Sequence, residues 1–288
     1  MPAPQSPLTR SVITRLRAGG CVFAEDEALL LVSSARTPAD LDAMVDRRAA
    51  GVPLEHVVGW AEFCGLRIAV DPGVFVPRRR TEFLVSQATA LARQPAGLPG
   101  QSGGPPGRAG DQPATVVVDL CCGSGAVGAA LAAALHQVEL HAVDIDPAAV
   151  ACARRNIAAD GGRVYEGDLY QPLPAGLRGR VGILAANVPY VPTGEVRLLP
   201  AEARVHEARV ALDGGADGLA VLRRVAAAAA QWLAPGGHLL TETSERQAQR
   251  AVGIVGLAGL TARAAGSAEM NATIVIGTRP ARQGGPGD

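Results

Sequence analysis

Asp119-Leu120-Cys121-Cys122-Gly123-Ser124-Gly125-Ala126 sets a carboxylate, two thiols and two glycines where a β-branched run gives way to an Ala-rich one. Glycines there let the backbone turn sharply and approach a ligand closely. The segment is not a phosphate-binding loop, because it lacks Gly-Lys-Ser/Thr and the 288-residue chain contains no Lys. It also departs from the dinucleotide fingerprint. Its glycines run Gly123, Gly125, Gly128, but Asp119 precedes them, and an acid there repels a pyrophosphate and suits a positively charged ligand. Asp144 follows Gly125 by 19 residues, where a carboxylate can accept hydrogen bonds from two ribose hydroxyls. Asp168, in Gly167-Asp168-Leu169-Tyr170, is placed to accept from an exocyclic amine. A loop for a small ligand, an acid for a ribose and an acid for an adenine, without a phosphate clamp, describes S-adenosyl-L-methionine. A generic Rossmann-like domain that binds NAD, or nothing, is the alternative reading.

These residues need strand ends to hold them. Thr115–Leu120 is a β-branched run suited to a buried parallel strand, and Ala126–His136 reads as the helix after it. Val138–Asp144, Val164–Glu166, Gly182–Ala186 and Gly237–Glu242 read as further strands, with helices over Pro147–Ala159 and Gly218–Leu233. The alternation predicts a doubly wound parallel sheet. Leu260–Ala264 and Ala272–Thr278, with no helix between them, predict an antiparallel edge. Upstream, Leu8–Arg17, Glu25–Ser34 and Pro38–Ala50 carry apolar residues at three-to-four spacing, with Asp26 and Thr37 as candidate caps. Gly65–Val76 reads as a hairpin turning at Asp71-Pro72-Gly73, and Thr81–Arg93 as a helix. Gly and Pro dominate 94–113, the composition of a flexible linker.

The fourth strand ends in Asn187-Val188-Pro189-Tyr190. Here the chain resembles the HemK-type protein-(glutamine-N5) methyltransferases, whose motif at this place is Asn-Pro-Pro-Tyr. The resemblance extends over Arg47–Gly59, Glu62-Phe63, Phe75-Val76-Pro77-Arg78, Thr81-Glu82, Glu207, Gly215–Leu219 and Leu233–Gly237. It implies a Rossmann-like class I S-adenosylmethionine-dependent methyltransferase sheet with a small N-terminal helical domain and β-hairpin. The implied division is a substrate-docking domain over 1–77, a connecting helix over 78–93, a linker over 94–113, a catalytic domain over 114–280 and a disordered tail over 281–288. The implied acceptor is the glutamine of the Gly-Gly-Gln loop of peptide chain release factors.

A carboxamide nitrogen is a poor nucleophile because its lone pair is delocalised, so catalysis must come chiefly from placing it in line with the methyl. In the family's arrangement the Asn187 side-chain oxygen and the Val188 carbonyl accept the two amide N–H bonds, and Tyr190 packs on the amide plane beside Pro189. The cofactor-binding set is then Asp119, Cys121, Cys122, Gly123, Ser124, Gly125, Asp144, Ile145, Asp168, Leu169 and Asn187, with Phe75, Pro77 and Arg78 near the substrate. Val188 stands where the family has its first Pro, which should loosen the loop. Arg80 stands where the family usually has Asp, and Cys121-Cys122 where small residues are common. These departures mark a divergent branch whose protein substrate need not be the usual one. The Arg78–Arg80 run alone reads as a solvated face.

Lys plus Arg and Asp plus Glu are 27 each, 48% of residues are hydrophobic and mean hydropathy is +0.17. Such neutrality speaks against charge-driven nucleic-acid binding. Five cysteines without a CxxC pair argue against a zinc site and against a disulfide framework, and with no apolar membrane-length run they predict a cytoplasmic protein without metal. Methylation of an exocyclic amine in RNA or DNA, and a non-catalytic S-adenosylmethionine-binding protein, are the competing readings.

Overall fold

A computed structural model describes residues 6–93, 114–158 and 161–281. The expected linker over 94–113 and all but Ala281 of the expected tail lie outside the described residues, as do Ala159 and Asp160.

The chain starts with helices α1 (Pro7–Ala18), α2 (Ala24–Ser34), α3 (Pro38–Ala49) and α4 (Leu54–Val58). Each of the first three buries one apolar stripe, and Leu16, Leu31 and Val45 meet in a core of their own. Thr37 caps α3 by accepting the Asp40 N–H. Asp26 does not cap α2, which begins at Ala24 with no side-chain cap, so Asp26 sits in its first turn, where acids offset the helix dipole. The hairpin also forms elsewhere than expected. Strands β1 (Trp60–Phe63) and β2 (Leu66–Ala69) pair through Phe63 and Leu66, turning at Cys64 and Gly65. Both turn residues have positive φ, 50° and 74°, the geometry that matches strand twist in a two-residue loop. Asp71-Pro72-Gly73 does turn, with the Val74 N–H on the Asp71 carbonyl. No strand forms beyond this turn; instead Val74 and Val76 bury their side chains beside Ala149 and Cys152.

After α5 (Glu82–Ala92) come β3 (Thr115–Leu120), α6 (Ala126–Ala134), β4 (Val138–Asp144), α7 (Pro147–Ile157), β5 (Arg163–Glu166) and β6 (Val181–Ala186). The chain continues through α8 (Ala201–His206), α9 (Ala220–Trp232), β7 (Leu233–Thr243), α10 (Ala248–Leu257), β8 (Thr261–Ser267) and β9 (Ala272–Thr278). Among the described residues seven strands form one sheet in the order β5-β4-β3-β6-β7-β9-β8. Strands β3 to β7 are parallel, and β9 and β8 add antiparallel pairs at one edge. Val117 and Ile183 on one face and Val118 and Leu184 on the other enter separate cores, as expected for strands covered on both sides. The carboxyl ends of β3, β4 and β6 meet at the middle of the sheet, where open α/β sheets take ligands.

Between β6 and α9, the short helical pieces Thr193–Leu198, Ala201–His206 and Arg209–Ala211 were not foreseen from sequence. None of the three buries a residue. Polar bonds hold them: Glu202 to Arg48, Glu207 to Arg78 and Glu195 to Arg246.

Candidate active site

Asp119 ends β3 with 1% of its surface exposed, and its Oδ2 accepts the Gly128 N–H at 2.9 Å. Burial pushes its carboxyl up to about 7, against the pull of that N–H and with a further push from Asp144. The glycines after it let helices approach. A Cβ on Gly125 (φ +77°) would lie 2.8 Å from Ile157 Cδ1, and one on Gly128 would lie 3.2 Å from Asp119 Oδ2. Asp144, at the end of β4, closes the loop by accepting the Gly123 N–H on Oδ2 (2.8 Å) and the Asp146 N–H on Oδ1 (2.9 Å). Burial raises its carboxyl too. A carboxylate offers about four lone-pair sites, so each oxygen keeps capacity for a hydroxyl. Burial likewise pushes the Cys121 and Cys122 thiols up, with the neighbouring Asp charges adding to it, so neither is a thiolate nucleophile. Asp168 holds Arg224 at 2.5 Å, a partner the sequence did not suggest.

Asn187 follows β6 half-buried, and among the described residues its carboxamide bonds to no other group. Val188 is 2% exposed and packs in the core with Leu120 and Leu184. The loop beyond is fastened: Gln247 Nε2 donates to the Tyr190 carbonyl at 3.1 Å, and the Gly214 N–H to the Val191 carbonyl at 2.8 Å. The loosening expected from Val188 is therefore offset by packing and by these bonds. Tyr190 donates its hydroxyl to Glu242 Oε1 at 2.7 Å.

The arginine run is a solvated face only in part: Arg79 and Arg80 are exposed, but Arg78 and Arg80 reach buried acids. Arg78 Nη2 reaches both oxygens of the fully buried Glu207, at 2.6 and 2.7 Å, and the guanidinium lies 4.8 Å from the Phe75 ring centre. Arg80 Nε donates to Glu242, whose side chain is 2% exposed. Among the described residues only Arg79 of the three is exposed without a carboxylate partner. A buried acid captures an arginine because its desolvation is otherwise uncompensated. A composition argument could not see this, since the partners lie 129 and 162 residues away. Glu242 had one sequence signal, an acid at the end of the strand that the sequence predicts over Gly237–Glu242.

One cavity of about 970 Å³ is lined by Asp119, Cys121, Cys122, Gly123, Ser124, Asp144, Ile145, Asp168, Leu169 and the Asn187–Tyr190 loop. Phe75, Pro77 and Arg78 line it as well; Gly125 does not, and acts instead through helix approach. The cavity's three arginines, Arg78, Arg80 and Arg224, are each paired with a carboxylate, so among the described residues no free cation of the cavity stands ready for a diphosphate. Ile145 is 51% exposed, an apolar surface on which a flat ring can rest. This donor set fits a nucleoside with a cationic tail and does not fit a dinucleotide. Among the described residues no cluster of His, Cys, Asp and Glu could hold a metal, and no helix is long and apolar enough to cross a membrane.

Residues 110–227 match the family model described as "Methyltransferase small domain". The release factor glutamine methyltransferase of Geobacter sulfurreducens is 37% identical over 218 residues, covering 75% of this chain and 69% of that protein. The chain belongs to the release factor glutamine methyltransferase family. A relative of this methyltransferase family in Streptomyces pristinaespiralis bears a different description. It is a 4-amino-L-phenylalanine/4-methylamino-L-phenylalanine methyltransferase, 36% identical over 203 residues, covering 70% of this chain and 65% of that protein. Among solved structures, the Thermus thermophilus 16S rRNA N2 G1207 methyltransferase, in complex with AdoMet and guanosine, superposes with a TM-score of 0.50 at 18% identity. It covers 76% of this chain and 49% of that one, and it shares the Rossmann-like methyltransferase sheet.

Proposed function

We propose that this chain uses S-adenosyl-L-methionine to methylate the side-chain nitrogen of a protein glutamine, that of the Gly-Gly-Gln loop of peptide chain release factors, leaving S-adenosyl-L-homocysteine. The observation that carries this reading is the unpartnered Asn187 carboxamide lining the same cavity as Asp119 and Asp144. The cofactor supplies a methyl group on a positively charged sulfur. Asp144 holds the ribose hydroxyls, Asp168 the adenine amine, and Ile145 and Leu169 its ring faces, while Asp119 and Cys121–Gly125 shape the loop beside the amino-acid tail. At the acceptor end, the Asn187 oxygen and the Val188 carbonyl accept the two amide N–H groups. They orient the nitrogen and stabilise the charge that develops on it. Tyr190, backed by Pro189, and Phe75 enclose the amide plane, with Pro77 and Arg78 at its side. No base is required to form the bond, because the proton becomes acidic only once nitrogen carries the methyl. Residues 1–77 dock the substrate protein, and the setting is the cytoplasm.

The test is incorporation of labelled methyl from S-adenosyl-L-methionine into release factor. Labelling that persists when the loop Gln is replaced by Ala refutes the acceptor. The Streptomyces relative that acts on an amino acid favours a second reading, a small amine as acceptor. Running the assay on the low-molecular-weight fraction of an extract separates the two: label there, with none in protein, selects the second.

A further inference from the structure

Glu242 stands near the end of β7 with both oxygens engaged inside the protein. Its Oε1 accepts from Arg80 Nε at 2.8 Å and from the Tyr190 hydroxyl at 2.7 Å, and its Oε2 accepts from the Thr81 hydroxyl at 2.6 Å. Arg80 Nη2 donates to the same Tyr190 oxygen at 2.7 Å. The tyrosine hydroxyl is thus held from two directions while its main-chain carbonyl is held by Gln247, and Arg80, Thr81, Tyr190 and Glu242 all line the cavity. A ring whose far end donates to one fixed group and accepts from another cannot swing aside without breaking both bonds. Such support is what places a side chain to within a fraction of an ångström. The electrostatics point the same way. Exposed ion pairs contribute little, but Glu242 is 2% exposed and, lacking Arg80, would be an uncompensated buried charge.

We propose that Arg80 is a positioning residue for the acceptor: its guanidinium fixes the Tyr190 ring across the acceptor end and cancels the Glu242 charge, leaving that end neutral for an uncharged carboxamide. The neighbouring Arg78–Glu207 pair is balanced in the same way. The choice of an uncharged acceptor rests on the glutamine-amide reading above, whereas the hold on Tyr190 does not.

The chain has three tyrosines, so protein labelled with 3-fluorotyrosine gives three fluorine resonances, and Tyr190→Phe identifies the relevant one. In Arg80→Met the Tyr190 resonance shifts or broadens while those of Tyr165 and Tyr170 stay. With an established acceptor, kcat falls about 10- to 100-fold, the range that misplacement by an ångström produces, and the KM for S-adenosyl-L-methionine is unchanged. Arg80→Lys, which keeps the charge, recovers part of the rate. The double variant Arg80→Met with Glu242→Gln removes both charges; it regains the melting temperature but not the rate. It also carries the test if the single variant does not fold. An unmoved Tyr190 resonance in Arg80→Met, or a wild-type rate in the double variant, overturns the proposal. If no glutamine acceptor is methylated, the fluorine measurement still reads the Tyr190 hold directly, so the failure of one reading is separable from that of the other.

Discussion

Replacing Asp119 by Asn should stabilise the ligand-free protein, and more so as pH rises. The carboxyl is 1% exposed and titrates near 7 in the fold, against an ordinary 3.8. That displacement of about three pH units, at about 1.4 kcal/mol each, caps the cost of carrying the ionised group at about 4 kcal/mol. Because the folded carboxyl holds its proton more tightly than the unfolded one, its contribution is most favourable below pH 4, is lost as pH rises toward 7, and is constant above. Asn keeps the volume and still offers an oxygen to the Gly128 N–H, so it removes the charge and little else. Thermal unfolding without ligand should show a gain of up to about 10 °C at pH 8, using roughly 2–4 °C per kcal/mol for a chain of this size, and about a third of that at pH 5. Calorimetric titration of the same variant with S-adenosyl-L-methionine should show weaker binding, a trade of function for stability. A gain independent of pH, or a loss at pH 8, would refute the reasoning.

Asn187→Ala should lower kcat about 100- to 1,000-fold, as loss of a charge-stabilising partner does, with S-adenosyl-L-homocysteine affinity by calorimetry falling far less; a loss of cofactor affinity as large as that of kcat would take the residue out of the acceptor site. Gly125→Ala combines a left-handed φ with a Cβ 2.8 Å from Ile157 and should cost about 1–3 kcal/mol, read from denaturant midpoints; Ile157→Val in the same chain should recover part of it. Arg48→Met strands Glu27, whose side chain is 9% exposed and which Arg48 holds at 2.6 and 2.9 Å, and should cost about 3–5 kcal/mol; adding Glu27→Gln should restore most of the stability.

The central parallel strands were legible because they are short β-prone runs bounded by turn residues: Thr115–Leu120 and Val138–Asp144 fall at the residues the sequence indicates. So did the antiparallel edge, since no helical period separates its two strands. The hairpin was misplaced because Asp71-Pro72-Gly73 is the louder turn signal, while the real turn depends on positive φ at Cys64, which no residue type announces. Helix α8 was missed because it has no buried stripe to leave a period. For the site, Asp119, Asp144 and Asn187 were picked out as acids and an amide at strand ends, and the fold brings the three to one cavity. Arg80 with Glu242, and Asp168 with Arg224, were invisible because each pairs residues from distant segments.

The span between β6 and α9 borders the acceptor end of the cavity, yet its short helices place no side chain in a core. Its exposed Leu198, Val205 and Val210 can change without a folding penalty as long as the anchoring Glu202 and Glu207 remain. Mutational drift is cheap in such a stretch. New acceptors can be explored there while the sheet and cofactor loop stay fixed, and this is a physical route by which one scaffold comes to serve relatives with different methyl acceptors.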